Sequence, residues 1–212
     1  MVDAVEGPDE LTDRLKRGDV EALAALFAEH RERLWRMVGF RMDWRLLGRV
    51  DPDDVLQEAY LAAAQRIGHY GKDSSLSPFI WLRMVLMQTL IDIHRHHLGA
   101  QMRDADREVG LHGPRYPQTT SVSLAAQFAG KFTSPSQAAA REETLLRLEQ
   151  AVAAMDPLDQ EVLALRHFEE LTNSEVAELL GIRQKAASIR YVRAIKRLRA
   201  VLSQMPGFLE GC

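Results

Sequence analysis

Residues 171–199 read LTNSEVAELLGIRQKAASIRYVRAIKRLR, the pattern of two helices joined by a turn at Gly181. Thr172 and Glu175 have the Ser/Thr-x-x-Glu spacing of a capping box, in which each side chain accepts a hydrogen bond from the other residue's backbone amide. Gly181 stands where helices commonly end in a left-handed residue. The second helix repeats apolar residues at steps of three or four, which predicts a core-facing stripe of Ile189, Val192, Ile195, Leu198 and Leu202.

The second helix of this pair is strongly basic. A short helix, a glycine turn and a cationic second helix are what a helix-turn-helix needs to enter the major groove of DNA. A surface hairpin of helices with a solvated charged face is the alternative, but the absence of any Asp or Glu between Gly181 and Gln204 favours DNA binding. The same stretch contains seven cations: Arg183, Lys185, Arg190, Arg193, Lys196, Arg197 and Arg199.

Length and composition describe an ordinary globular chain. Its 212 residues allow one or two modest domains, with 46% hydrophobic and 27% charged residues. The net charge of −3 is unevenly spread, because residues 138–175 carry nine acids against three arginines. Residues 1–10 carry four acids and no cation. This separation predicts one face for nucleic acid and others for protein partners.

The cysteine content and the apolar runs bear on the compartment. The single cysteine, Cys212, allows no disulfide framework and no cysteine-based zinc site. No apolar run reaches the ~18 residues typical of a membrane span, and the acidic N-terminus has no signal core. We therefore expect a cytoplasmic protein without membrane association.

Helical signals run through the chain, and strand-like alternation is nearly absent, so the predicted fold is all-α. Asp19 suits the N-cap of a long helix that reaches about Arg41. Four later helices share one feature, a capping residue directly before a proline, which is tolerated at the first helical position. These starts predict helices near 52–68, 78–98, 135–154 and 157–168, after Asp51-Pro52, Ser77-Pro78, Ser134-Pro135 and Asp156-Pro157.

Residues 104–133 break the helical pattern. Two glycines and two prolines between Gly110 and Pro117 interrupt any helix there. A linker of this length would span roughly 100 Å if it were fully extended. We therefore predict two helical domains, 11–103 and 134–204, joined by this linker, with the helix-turn-helix in the second domain.

Three stretches combine into a more specific pattern. Residues 51–61 read DPDDVLQEAYL, residues 79–95 read FIWLRMVLMQTLIDIHR, and residues 158–181 read LDQEVLALRHFEELTNSEVAELLG. In this order they resemble the acidic helix, the promoter-melting helix and the −35 reader of a bacterial sigma factor. The resemblance is to the extracytoplasmic-function (ECF) group of the sigma-70 family, over roughly 11–103 and 138–203. It implies a subunit that directs RNA polymerase core to specific promoters and assists promoter opening in transcription initiation.

A polar stripe follows the helix that begins at Pro52. Asp54, Gln57, Glu58 and Leu61 lie at steps of three or four and so share one face. A solvated acidic face whose carboxylates stabilise the helix dipole explains these residues equally well. The resemblance implies instead that they bind the polymerase clamp, and it also implies a contact with the polymerase flap.

The helix near 78–98 is apolar on every side for most of its length, so it should be largely buried. Its polar end follows, and the resemblance places this end and the preceding loop at the melted −10 element. Melted bases need stacking surfaces and a cationic track. The predicted contacts are Arg95 and Arg103 for the track, Trp81, which is also expected in the core, and Tyr70, expected in the loop before Ser77.

The first turns of the basic helix should supply the contacts to base edges of the −35 element. Glutamine pairs with adenine and lysine donates to guanine, which suits Gln184 and Lys185, with Ser188 one turn further on. The sequence departs from the resemblance at Ile189, where the family usually has serine, and this leaves the −35 preference open. Phosphates or base edges at the groove wall are the predicted targets of Arg183, Arg190, Arg193 and Arg197.

A histidine cluster lies at the end of the helix near 78–98. His94, His96 and His97 with Asp92 suggest a metal site, but on a helix at most two of these side chains share a face. We therefore expect no metal and no other cofactor.

Three functions remain to be compared. The first is a sigma factor without a catalytic site of its own, which an anti-sigma protein could sequester. The second is a stand-alone helix-turn-helix regulator with a helical sensing or dimerisation domain, which has no evident use for the acidic stripe. The third is a helical metal hydrolase built on the histidines. The resemblance favours the first.

Overall fold

The computed structural model describes residues 8–46, 48–73, 76–98, 124 and 138–203. Within these ranges the secondary structure is helical and contains no strand. This confirms the all-α fold. The chain divides into two compact units, Met1–Pro117 and Gln118–Cys212.

Eight α-helices follow one another along the described residues. A short 3-10 turn, Trp44–Leu46, lies between the second and the third. In the first unit the helices are α1 Pro8–Lys16, α2 Val20–Arg41, α3 Pro52–Asp73 and α4 Pro78–Leu98. In the second unit they are α5 Ala138–Ala153, α6 Pro157–His167, α7 Asn173–Leu180 and α8 Gln184–Leu202.

Three of the predicted capping residues begin their helices through direct hydrogen bonds. The Asp19 carboxylate accepts from the backbone amides of Glu21 and Ala22, at 2.9 and 3.2 Å. The Asp51 carboxylate accepts from the amide of Asp53 at 2.8 Å, and that of Asp156 accepts from the amide of Leu158 at 2.9 Å. These bonds satisfy amides that have no partner within the helix. Ser134 lies outside the described residues.

Helix α3 runs five residues further than its predicted end near 68, to Asp73. Its buried side continues at steps of three or four through Ala63, Ile67 and Tyr70, all nearly inaccessible to solvent. Burial of this stripe stabilises the extra turn across Gly68, a residue that by itself disfavours helix.

The first unit is built around α3 and α4. Helix α3 packs against α1, α2 and α4, and α2 also packs against α4. Helix α4 is buried on nearly all sides, as its sequence predicted. Its fully buried apolar side chains are Ile80, Leu82, Leu86 and Leu90.

The second unit is built around α8, which packs against α5, α6 and α7. Its buried side chains are Ala187, Ala194 and Leu198. The predicted core stripe is therefore wrong for Ile189 and Val192, which are 55% and 47% exposed. The small alanines allow α8 to approach its neighbours closely, so the buried face is not the one with the bulkiest apolar residues.

The predicted linker lies largely outside the described residues. Of the predicted linker 104–133, the structure describes only Leu124, which is buried. The domain bounds 11–103 and 134–204 therefore stay predictions. Among the residues that are described, no helix is both long enough and apolar enough to span a membrane.

Candidate functional site

The helix-turn-helix forms from α7, the turn at Gly181 and α8. The Thr172 hydroxyl accepts from the amide of Glu175 at 3.2 Å, and the Glu175 carboxylate accepts from the amide of Thr172 at 2.6 Å. This is the predicted capping box. Gly181 ends α7 in the left-handed region at φ 62°, and the amide of Ile182 donates to the Ala177 carbonyl at 3.0 Å. The predicted turn is confirmed.

The first turns of α8 carry the predicted base-reading residues. The Arg183 carbonyl accepts from the amide of Ala187 at 3.1 Å, so the backbone of Arg183 opens the helix. Gln184 and Lys185 are exposed, and Ser188 is half-buried. Arg183 and Arg197 are also exposed. Their contacts with DNA stay predictions.

Two of the predicted DNA-contacting arginines have a partner within the chain. Both oxygens of Asp159 accept from Arg193, through Nε and Nη2, at 2.7 Å each. Asp159 Oδ1, the oxygen that accepts from Nη2 of Arg193, also accepts from Nη1 of Arg190 at 2.7 Å. The same Nη1 group lies 3.4 Å from the Asp156 carboxylate. The Asp159 side chain is only 7% exposed. These bonds join the middle of α8 to the start of α6.

In the sequence, Asp159 is one of nine acids between residues 138 and 175 and has no predicted role of its own. Its spacing gave a clearer signal, because Val162 and Leu163 follow Asp159 by three and four residues, so all three lie on the buried side of α6. A carboxylate on a buried face requires partners. The sequence did not show that those partners would be two arginines about thirty residues later.

A third arginine connects the same elements. The Arg166 guanidinium, on α6, lies 5.2 Å from the centre of the Tyr191 ring on α8. Its Nη1 donates to the Leu171 carbonyl, just before the capping box. The orientation of α8 thus depends on ion pairs and a cation–π contact as well as on its alanine-lined face.

In the first unit, the predicted polymerase-contacting residues form one exposed stripe. Asp54, Gln57, Glu58 and Leu61 are all exposed, with Leu61 at 54%. Neighbouring Asp53 instead pairs with Arg31 of α2 at 2.6 Å. The stripe is separate from the core face of α3, whose members are Val55, Leu56, Ala59 and Ala63.

The predicted −10 residues differ in their exposure to solvent. The loop position predicted for Tyr70 is wrong, since Tyr70 lies within α3 and is only 2% exposed. Its ring lies 4.9 Å from that of Trp81, and its hydroxyl donates to the Leu76 carbonyl at 2.8 Å. Both rings are core groups here. Arg95 is exposed at the end of α4, and Arg103 lies outside the described residues.

At the end of α4, His94 does not converge with His96 and His97. His94 is buried, and its Nε2 accepts from the backbone amide of Asp43 at 3.3 Å. Burial lowers the pKa of His94, although the Asp43 carboxylate partly opposes this. The Arg45 guanidinium in turn lowers the pKa of Asp43. Within the described residues, no three His, Cys, Asp or Glu side chains are grouped as metal ligands would be.

The other two histidines belong to a surface groove. His96 and His97 are exposed and line a shallow depression between α3 and α4. Glu58 and Asp92 line the same depression. The predicted polymerase-contacting stripe therefore borders the polar end of α4.

Comparison with known proteins identifies similar sequences. Residues 145–198 match the family described as Sigma-70, region 4. The chain is 24% identical over 196 residues to the ECF RNA polymerase sigma factor BldN of Streptomyces coelicolor, covering 91% of this chain and 65% of that protein. It is 22% identical to the ECF RNA polymerase sigma factor SigW of Bacillus subtilis, covering 91% and 95%.

A solved structure is also similar. It is that of CnrH in complex with the cytosolic domain of CnrY, with a TM-score of 0.48 and 20% identity over 91% of this chain and 95% of that chain. The family match and the relatives together support a sigma factor of the ECF group of the sigma-70 family, a protein of transcription initiation.

Proposed function

We propose that this chain binds RNA polymerase core through its first unit and directs it to promoters that its second unit reads as duplex DNA. One observation supports this most directly, the separation of exposed charge. The exposed stripe of α3 is acidic and amide-bearing, whereas α8 exposes cations and contains no acid. A protein surface and a polyanion are the partners that fit these two surfaces.

The polymerase contact is assigned to the α3 stripe. Asp54, Gln57 and Glu58 offer charge and hydrogen-bond acceptors beside the exposed Leu61. An apolar group surrounded by polar ones is typical of a protein interface. Their partner on this proposal is the polymerase clamp, while the contact of the second unit with the polymerase flap stays a prediction.

The −35 contact is assigned to the start and outer face of α8. Gln184, Lys185 and Ser188 read base edges, and Arg183 and Arg197 bind phosphates. For Arg190 and Arg193, the bonds to Asp159 add a second role, because they hold α8 in place. Their contact with DNA stays a prediction.

The −10 contact is assigned to the polar end of α4. Arg95 supplies positive charge there, together with Arg103 in the predicted cationic track. Trp81 and Tyr70 pack against each other at the other, N-terminal end of α4, so their contact with the −10 element stays a prediction. Promoter opening needs no catalytic site in this scheme, because melted bases are captured by binding, which offsets a few kcal/mol of unpairing.

The remaining parts of the scheme are proposed from family membership. The chain works in the cytoplasm and is not itself an enzyme. An anti-sigma partner stays a prediction. A stand-alone regulator is disfavoured because the relatives with curated names are sigma factors. A regulator would bind free duplex promoter tightly, whereas a sigma factor should bind core polymerase tightly and the free duplex poorly.

The polymerase contact is tested by replacing Asp54 and Glu58 together with alanine. Both side chains are exposed, so the fold should survive while affinity for core polymerase falls about tenfold, or roughly 1.4 kcal/mol. A fluorophore on the single cysteine, Cys212, reports binding by anisotropy during titration with bacterial core polymerase.

The matched control replaces Glu10 and Asp13 of α1, which removes the same charge from another exposed surface of the same unit. This control should bind core polymerase like the original chain. Equal loss in both variants would indicate a general charge effect. Unchanged affinity in the Asp54 and Glu58 variant would refute the proposed clamp contact.

A further inference from the structure

The outer face of α8 carries two large apolar side chains between two cations. Lys185, Ile189, Val192 and Lys196 follow one another at steps of four, three and four, so they form a single stripe, and all four are exposed. Between the charged ends of this stripe, Ile189 and Val192 line a shallow depression together with Ser188. Because α8 packs through a different face, the core of the second unit does not use this stripe.

We propose that Ile189 and Val192 read thymine in the −35 element by contacting its C5-methyl group in the major groove. Thymine is the only base of unmodified DNA that presents an apolar group there, and alkyl side chains contact it directly. The inference rests on the proposed function of α8 as a reader of duplex DNA. It adds the base that the helix selects.

The charge around the pair determines the choice of occupant. Lys185 and Lys196 flank it along the stripe, Arg193 lines the same depression, and α8 contains no acidic residue. In DNA an apolar thymine methyl lies beside the hydrogen-bond acceptors of neighbouring base edges and between negative phosphates, which matches this order of groups. A protein docking site would need about 800 Å² on each partner, far more than two side chains offer.

The side chains of the pair are branched alkyl groups, whereas Ser188, which lines the same depression, carries a hydroxyl. A hydroxyl can hydrogen-bond to several bases, whereas an alkyl group gains only from an apolar contact. The proposed preference for thymine is thus a property of this chain's own residues.

The test first needs a promoter. Core polymerase with the full-length chain transcribes a promoter library that is randomised in the −35 element, and the most productive sequence is taken. That promoter is then synthesised twice, with thymine or with deoxyuridine in the −35 element alone. Deoxyuridine keeps the same pairing edge and lacks only the methyl group.

We expect the selected element to contain thymine and its transcription at limiting polymerase to fall about fourfold for each contacted methyl that is removed. In the variant with Ile189→Ala and Val192→Ala, the ratio between the two templates should approach one. Leu146→Ala is the matched control. Leu146 is 53% exposed on α5 of the same unit, and its removal should leave the ratio unchanged.

Each contrary result has its own meaning. Equal transcription from both templates by the original chain overturns the thymine contact and leaves the proposed function standing. An unchanged ratio in the double variant, accompanied by weaker binding to core polymerase, overturns it in favour of a protein docking face. Absence of promoter-dependent transcription from any library member refutes the proposed function and the inference together.

Discussion

Helices α4 and α8 are similar in length, but they use their side chains in opposite ways. Helix α4 is buried on nearly every side, and Leu82, Leu86 and Leu90 have no measurable exposure. Helix α8 buries a narrow face of two alanines and Leu198 and leaves most of its surface to solvent. The sequence of α4 is therefore constrained by packing, whereas most of α8 is available for recognition.

The contrast also separates two ways of positioning a helix. Helix α4 is held by apolar contact with α2 and α3, which is strong and non-directional. Helix α8 has less apolar contact, and its orientation depends in addition on the bonds from Asp159 to Arg190 and Arg193. A recognition helix can in this way be oriented by polar groups while its outer face remains open.

The largest expected effect comes from replacing one apolar side chain with alanine in each of the two helices. Leu86→Ala in α4 should lower the free energy of unfolding of the first unit by about 3 kcal/mol, because it opens a cavity in a fully buried site. Val192→Ala in α8 should change that of the second unit by less than about 0.5 kcal/mol, since Val192 is exposed.

Denaturation of the full-length chain measures both effects. Trp35, Trp44 and Trp81 are the three tryptophans and lie in the first unit, so their fluorescence follows that unit alone. Circular dichroism at helical wavelengths follows both units together. Similar losses in the two variants would show that α8 is packed as tightly as α4 and would remove the contrast.

The second effect concerns the polar attachment of α8. Asp159→Ala removes the shared acceptor of two arginines. Arg190 is 29% exposed and keeps only the Asp156 carboxylate at 3.4 Å, and Arg193 is 58% exposed. We expect the free energy of unfolding of the second unit to fall by about 2 kcal/mol, less than for a fully buried ion pair because both arginines reach solvent. Circular dichroism during urea denaturation measures the change.

Arg197→Ala is the matched control for this prediction. It removes an exposed cation from the same helix and should cost less than about 0.5 kcal/mol. Promoter-dependent transcription adds a second measurement, because Asp159→Ala should lower it although Asp159 itself is not placed against DNA. Wild-type stability in the Asp159 variant would mean that packing alone positions α8.

Features that depend on neighbouring residues in the sequence could be predicted. The N-caps at Asp19 and Asp156, the capping box at Thr172 and the left-handed Gly181 are local devices of four or five residues. Their physical causes, unsatisfied backbone groups and restricted φ, do not involve the rest of the fold. The all-α class and most helix starts followed from them.

Features that depend on a distant partner could not be predicted. The Asp159 cluster joins residues more than thirty positions apart, and Tyr70 became part of the core because Trp81 packs against it. The buried face of α8 was assigned to bulky residues, although alanines occupy two of its buried positions. Sequence periodicity identifies an amphipathic helix more reliably than it identifies which of two apolar stripes is buried.

The smallest expected effect is a pH dependence confined to the first unit, at the point where α4 meets the turn after α2. His94 accepts the Asp43 amide through Nε2 and can do so only when neutral, and burial lowers its pKa below the 6.5 of an unfolded chain. Between these two pKa values the unfolded chain binds the proton more readily than the folded chain does. The contribution of neutral His94 to the free energy of unfolding is therefore complete above about pH 6.5 and is lost as the pH falls towards the folded pKa. We expect the free energy of unfolding, followed by tryptophan fluorescence in urea, to fall by about 1 kcal/mol more in the original chain than in His94→Gln between about pH 7.5 and pH 5.5.

His97→Gln, on the exposed side of the same helix, should keep the original dependence. If His94→Gln keeps the original pH dependence as well, His94 is not the group whose titration destabilises the first unit.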